Sequence, residues 1–442
     1  MKRSLWLKDT QGIGYVAEKK KADVIVIGAG LTGLAAAWRL CREGRDVIVL
    51  EAAEVGCGTS GHTTGKITSQ HHLIYHYLLN QFGEEKAKMY ADANQWAVQE
   101  YIDLINNEGI ACHLEEKSAY VYSHSDSGPL EQEYNVAVKL GLPCSMESVS
   151  FSKNEALAFH RQAQFHPREY MMGLAAKIVD KGGAIAEYTR VLKVEEKKDF
   201  CTVTTEKGSY ESEFIVYATL YPILDHTLFA MRLRPVLHHG MAFSVEEQEH
   251  EGMYIGVNDI SFRYYKDTLI VVGQHQHMGE EKNSYETLEE KARKKFKVGK
   301  ELTRWSAHDQ KSPDRVPFIG SYDPITRKQF AATGFGAWGI THAMVSAKII
   351  ADKIAGRENP WATLYSPWRT GKLISTAIEK GKDTLRSLVK GKHMCSHMGC
   401  GLVFNEYDQT YDCPCHGSRF DKDGNVLWGP AVKGILGAKK SQ

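Results

Sequence analysis

The sequence predicts a mixed α/β and α+β chain: an α/β domain opened by a βαβ unit, a second domain built on an antiparallel sheet, and a small all-β module at the C-terminal end. Three observations predict it. Residues 24–51 read as strand, glycine turn, helix and strand. Strand-like runs dominate from Val236 to Val272. Four of the nine cysteines (Cys395, Cys400, Cys413 and Cys415) crowd into one short stretch near the end.

The first element is Val24-Ile25-Val26-Ile27, short, continuous and β-branched, as a strand buried on both faces must be. Gly28-x-Gly30-x-x-Gly33 follows and turns into an Ala/Leu-rich helix ending near Gly44. Asp46–Glu51 is a second strand with an acid at its end. In this context each glycine serves a distinct purpose. Gly28 permits the tight turn, Gly30 lets backbone approach a pyrophosphate, and Gly33 allows the helix to sit against the strand. The helix N-terminus offers unpaired N–H groups to phosphates, and Glu51 can accept from ribose hydroxyls. The turn alone does not separate NAD from FAD.

Further along, apolar residues recur at helical spacing from Tyr77 to Asn107, and residues 111–149 lose clear periodicity. A helix over 169–181 and strands near 184–195, 202–205 and 214–218 return to the α/β pattern. Residues 330–355 read as strand, Gly-rich turn and helix. A basic stretch between Trp368 and Lys392 reads as a solvated linker helix.

Composition narrows the function class. The formal net charge of +1 gives no electrostatic basis for nucleic acid as a main partner. No uncharged apolar run approaches the length of a bilayer span, and the first residues are too charged for a secretory core. The expectation is a cytoplasmic protein with no membrane span.

Two later segments decide the dinucleotide. Gly58-Thr-Ser-Gly-His-Thr-Thr-Gly-Lys66 is a polar loop just past the second strand. Asp314-Arg-Val-Pro-Phe-Ile-Gly320 precedes Ala332-Thr-Gly-Phe-Gly-Ala-Trp-Gly-Ile-Thr341, where a helix would aim its positive end into the cleft and favour a reduced flavin. With these motifs in this order, residues 22 to about 362 resemble the D-amino acid oxidase-like family of FAD-dependent oxidoreductases. The resemblance implies that Gly28, Gly30, Gly33 and Glu51 hold the ADP half. It places Thr59, Ser60, Thr64 and Gly65 beside the flavin, and Gly334, Gly336, Gly339, Ile340 and Thr341 over its pyrimidine side. Phe214–Thr219 resembles the family's second nucleotide-side strand. The implied chemistry is oxidation of an amine or amino-acid-like small molecule by hydride transfer to flavin N5. His62 sits where dimethylglycine dehydrogenases carry a histidine bonded to flavin; a polar loop histidine is the plainer reading.

Cys395-Ser-His397 and Cys413-Pro-Cys-His416 supply two thiolates and two imidazoles, a set that zinc could also use. Zinc has no need of Cys400 and Cys415. The surrounding text, including Ser418 and Gly429-Pro430-Ala431, closely resembles Rieske proteins of the cytochrome bc type. That resemblance implies a [2Fe–2S] cluster held by Cys395, Cys413, His397 and His416. It also implies a Cys400–Cys415 disulfide, with Ser418 and Pro430 around the cluster. Free thiols are the alternative, since a cytosolic disulfide is unusual. Replacing two thiolates by imidazoles raises the potential, and Phe420, where many high-potential members have tyrosine, lowers it.

Together the halves resemble fused FAD-oxidoreductase/Rieske proteins. The expected division is a Rossmann-like FAD-binding domain from 1–86, 155–221 and 304–364, and a substrate domain from 87–154 and 222–303. A linker helix at 365–388 and a Rieske module at 389–442 complete it. The expected function is an FAD-dependent dehydrogenase that passes electrons singly through the cluster to a one-electron acceptor. The alternatives are a redox sensor and a reductase running in reverse. Arg263 could anchor a substrate carboxylate, and His275, with His238, His239 and His277, could act as a base.

Overall fold

A computed structural model describes residues 3–223, 229, 232–280, 283–369 and 393–435. The linker helix expected over 365–388 lies outside the described residues beyond Arg369.

The nucleotide-type sheet has eight strands. Lys21–Ile27 is central, flanked in parallel by Val47–Leu50 on one side and Gly208–Tyr217 on the other. Ala184–Ala186 and Gln329–Thr333 extend it in parallel at the two sides, and Phe318–Ser321 closes one edge antiparallel. The apolar run is continuous because both faces are covered. Val24, Val26, Val47 and Val49 face the helical layer, while Ile25, Ile27, Ile48 and Leu50 face the opposite core. Helix Leu31–Arg42 packs on helix Gly339–Ile354, which starts after the second glycine-rich turn.

The second sheet has nine strands. It is antiparallel except where Met253–Gly256 runs parallel to Glu115–Tyr122. Arg234–Ser244 lies between Glu301–Lys311 and Thr268–His277. Strands Ala156–Gln164 and Glu301–Lys311 both belong to this sheet, although they fall in segments expected for the FAD-binding domain.

Three local features depart from the pattern expected of the sequence. The helical stretch expected from Tyr77 is two helices, Tyr75–Phe82 and Glu84–Glu108, because Gly83 takes φ +82° and breaks the run. The aperiodic stretch 111–149 holds strand Glu115–Tyr122, helix Gly128–Lys139 and strand Cys144–Glu147. The polar leader carries a short helix, Leu5–Lys8, with Trp6 fully buried against His166 and Tyr265.

The C-terminal module is a four-stranded antiparallel sheet, Val403–Asn405, Thr410–Asp412, Arg419–Phe420 and Val426–Trp428. Its core is small: the four cysteines with Leu402, Phe420, Ala431 and Ile435. Among the described residues no helix is long and apolar enough to cross a membrane.

Candidate active site and cluster site

The first glycine turn has no room for side chains. Gly28 sits at φ +104°, and a Cβ there would lie 2.7 Å from the Ala218 carbonyl. A Cβ at Gly33 would lie 1.8 Å from the Gly28 carbonyl, so helix and turn touch backbone to backbone. No side chain of its own caps helix Leu31–Arg42; the Leu31 N–H donates to Ser60 Oγ at 3.1 Å. The Glu51 carboxylate accepts from the N–H groups of Ala29 (2.7 Å) and Ala53 (2.9 Å), and burial raises its pKa.

These residues open onto a cavity of about 840 Å³. Gly28, Gly30 and Glu51 line one part. Thr59, Ser60, His62 and Thr64 form the polar loop wall, and Gly334, Gly336, Gly339 and Ile340 the facing turn. Gly33, Gly65 and Thr341 sit one layer behind. Gly65 holds φ +74° against the Phe165 carbonyl, and Thr341 Oγ1 is 3.0 Å from His71 Nε2. The His62 Nδ1–H donates to the Gly58 carbonyl at 2.8 Å, and burial pushes the imidazole down to about 4.

The same cavity carries two basic side chains and a histidine group. His72, His275, Lys311 and Arg315 all line it, and His275 feels both Lys311 and His72 electrostatically. His275 Nδ1 lies 2.5 Å from His238 Nδ1, so one neutral ring donates to the other, and burial pushes His275 down to about 4. His239 is held by the Gln274 carbonyl at 3.0 Å, and His277 is exposed.

Arg263 requires a correction. It is fully buried beneath the polar loop and outside the cavity wall. Its Nε donates to Thr64 O at 2.5 Å and its Nη2 to Phe165 O at 2.9 Å, with the guanidinium over the Trp6 ring. It shapes the loop and is not placed to grip a substrate carboxylate. Two cavity residues escape sequence reasoning. Asp309 accepts from the Gln310 N–H (2.7 Å) and the Ala337 N–H, pinning the second glycine turn, and burial pushes its carboxyl up to about 6. Lys66 is buried and donates to the Tyr254 carbonyl at 2.7 Å. Lys66 closes the Gly58–Lys66 loop and Asp309 ends the Trp305–Asp309 segment, but nothing in the local text sets either side chain apart from its neighbours.

At the C-terminal module, the rings of His397 and His416 stand 5.1 Å apart, and both rest edge-on against Tyr221, at 6.0 and 6.1 Å. The Cys413 thiol donates to Cys395 and holds that thiol down to about 7. Ser418 also hydrogen-bonds Cys395 and accepts the Ala431 N–H at 3.0 Å. Pro430 is buried beside it. The sulfurs of Cys400, Cys413 and Cys415 lie within 4.8 Å of one another. No S–S bond joins Cys400 to Cys415 in this structure; the expected disulfide stands here as a contact between thiols.

The donor chemistry fits both groups. Two glycines without space for a Cβ and a buried acid at the strand end suit an ADP moiety. Two converging thiols and two converging imidazoles, with a serine on one thiol, suit a cluster with mixed ligands. Leu427, Trp428, Gly429, Ala431 and Val432 of the cluster module also line the flavin-side cavity.

Fold and site together define a two-cofactor redox flavoprotein. The family model for FAD dependent oxidoreductases matches residues 23–353, and that for the Rieske [2Fe-2S] domain matches residues 378–437. The chain belongs to the FAD dependent oxidoreductase family, with a C-terminal Rieske domain; its cofactors are FAD and a [2Fe–2S] cluster. It is 29% identical to the Rieske 2Fe-2S iron-sulfur protein YhfW of Bacillus subtilis, over 96% of this chain and 95% of that one. Gamma-glutamylputrescine oxidoreductase of Escherichia coli is 25% identical over 46% of this chain and 49% of its own. The fold is similar to that of glycine oxidase from Geobacillus kaustophilus, with TM-score 0.68 and 15% identity, over 80% of this chain and 100% of that one.

Proposed function

We propose that this oxidoreductase dehydrogenates an amine or amino-acid-like small molecule and delivers the electrons singly, through its Rieske cluster, to an external one-electron acceptor. The single observation carrying the reading is the shared cavity, bounded by the flavin loop and glycine turns and also by the cluster module's Trp428–Val432 edge. A flavin bound there supplies hydride acceptance at N5, and a [2Fe–2S] cluster supplies one-electron exchange.

The chain's own residues would prepare the substrate. Lys311 and Arg315 give the cavity a positive patch suited to a carboxylate or other anionic group. His275, paired with His238, can accept a hydrogen bond from a substrate amine that binds already neutral, orienting it for hydride loss without taking a proton. Trp338 and Ile340 give the wall apolar surface. Relatives named for gamma-glutamylputrescine and for glycine support this substrate class. The cluster module, with its own Cys395, Cys413, His397 and His416 as ligands, keeps the exit route within the chain.

The test is anaerobic titration of the purified holoprotein with a panel of amines and amino acids. The expected result is bleaching of the flavin absorbance, followed by the reduced-cluster EPR signal. Bleaching should weaken when Lys311 is changed to Met. A flavin that responds only to redox buffers across the panel would replace this reading with that of a sensor.

A further inference from the structure

We propose that Tyr221, with the turn that carries it, is the bridge by which electrons cross between the flavin cavity and the cluster. This rests on the two-cofactor reading but not on the identity of any substrate.

The argument begins with the sheet. Strand Gly208–Tyr217 is the parallel neighbour of Lys21–Ile27, and its continuation meets the first glycine turn at Ala218. Ala218, Thr219 and Leu220 all line the cavity. One residue further, the chain has passed through the wall. Tyr221 is buried and sets its ring against both cluster imidazoles. A single turn thus runs along the cavity, from Ala218 at the first glycine turn to Leu220 held by Thr333 beside the second, and sets its next side chain on the cluster ligands.

That turn is rigid. The Tyr221 N–H donates to the Thr219 carbonyl at 2.7 Å, and Thr219 Oγ1 donates to the Tyr221 carbonyl at 2.7 Å. The Thr333 hydroxyl holds the Leu220 carbonyl from the neighbouring strand. The module is fixed on the other side as well. On strand Glu301–Lys311, Gln310 Nε2 donates to the His416 carbonyl at 3.0 Å, and Ser306 Oγ accepts from Arg419 Nη1 of the module at 3.0 Å. Electron tunnelling falls steeply with the width of a gap and is carried best by packed atoms. A buried ring shared by both imidazoles is therefore the favoured route. A second path, from Ala431 through Ser418 to Cys395, reaches a thiolate instead and serves as the competing outcome.

The step is a bare electron transfer. With both cofactors bound, one electron would leave the reduced flavin and enter the oxidised cluster, no atom passing between them, and the flavin's N5 proton would be released to solvent by the time the second electron has left. A second follows once an acceptor of the iron- or copper-centre class has emptied the cluster.

The experiment uses holoprotein carrying both cofactors, and a light flash to reduce the flavin without substrate. The rate of cluster reduction is read from its visible band, with iron content, cluster EPR and midpoint potential as controls. Tyr221→Phe keeps the ring and should keep the wild-type rate. Tyr221→Leu fills the space without the ring and should slow cluster reduction severalfold or more. Potential and EPR should remain unchanged. A Tyr221→Leu protein with full iron and wild-type rate would overturn the bridge. So would wild-type protein whose cluster takes no electron from the photoreduced flavin. Because no amine enters the experiment, failure of the substrate reading leaves its outcome unaffected.

Discussion

Trp428, at the end of the last strand of the C-terminal module, lies nearly parallel to His308 of the second sheet, with ring centroids 5.8 Å apart and 17° between planes. Its edge also meets His62 at 5.6 Å, and the Arg419 guanidinium covers it at 5.2 Å. Because Thr59 Oγ1 donates to the His308 carbonyl at 2.8 Å, the flavin loop, the second sheet and the cluster module meet at this one ring.

Replacing Trp428 by Ala should loosen the loop that faces the flavin. Loss of two aromatic contacts, at about 0.5–1.5 kcal/mol each, corresponds to roughly tenfold weaker FAD retention. Recovery of flavin fluorescence on serial dilution measures it directly. Trp428→Phe should fall between the two.

Gly33→Ala should abolish FAD binding. The added methyl would stand 1.8 Å from the Gly28 carbonyl, and no side-chain adjustment can relieve a clash with backbone. The purified variant is expected to lack the flavin absorption band while keeping the cluster's EPR signal.

Arg419→Ala should cost about 3–5 kcal/mol of stability, because it strands buried carboxylates without their cation. Arg419 is fully buried and pairs with Asp408 at 2.6 Å and Asp412 at 2.8 Å. Burial alone would raise the Asp408 carboxyl; the arginine overcomes that and holds it below its usual range. Urea unfolding followed at the cluster band should show a lower midpoint, and a midpoint at the wild-type position would count against the network.

Acid should unfold this protein early. Burial pushes His62 down to about 4, and His166 and His342 down to about 3, from an unfolded value near 6.5. Their folded pKa values are depressed, so the unfolded chain binds more protons. The stability they contribute is therefore present above pH 6.5 and lost as the pH falls toward 4. At full loss His62 is worth about 3 kcal/mol, and His166 and His342 about 5 kcal/mol each. Asp309, raised to about 6, and Glu133, raised to about 7, act in the opposite sense but are fewer. Thermal melts between pH 7.5 and pH 5 should show Tm falling steadily; His166→Phe should flatten the slope.

What the sequence made legible is what local chemistry dictates. Gly28, Gly30 and Gly33 were readable because the turn admits no Cβ, and Cys395, His397, Cys413 and His416 because ligand spacing is local. Arg263 was not, because nothing near Ser261 reveals that Trp6, Thr64 and Phe165 close around its guanidinium. The break at Gly83 hides inside a periodic apolar pattern that continues through it. Tyr221 is silent for the same reason as Arg263: its importance lies in residues far along the chain. Strands such as Glu301–Lys311 serve two layers at once, which no boundary drawn along the chain can express.

The short helix Leu5–Lys8 carries a consequence for biosynthesis. Ser4 donates to the Gly61 carbonyl, Trp6 Nε1 to Thr63 O at 2.6 Å, and Thr303 reaches back to the Arg3 carbonyl at 2.8 Å. The clasp on the flavin loop spans 57 residues at Ser4 and Trp6, and Thr303, 300 positions from Arg3, holds the chain just ahead of it. Contacts across such separations carry a loop-closure cost that local ones do not, so FAD loading waits until residues 3–6 and the strand carrying Thr303 are both in place.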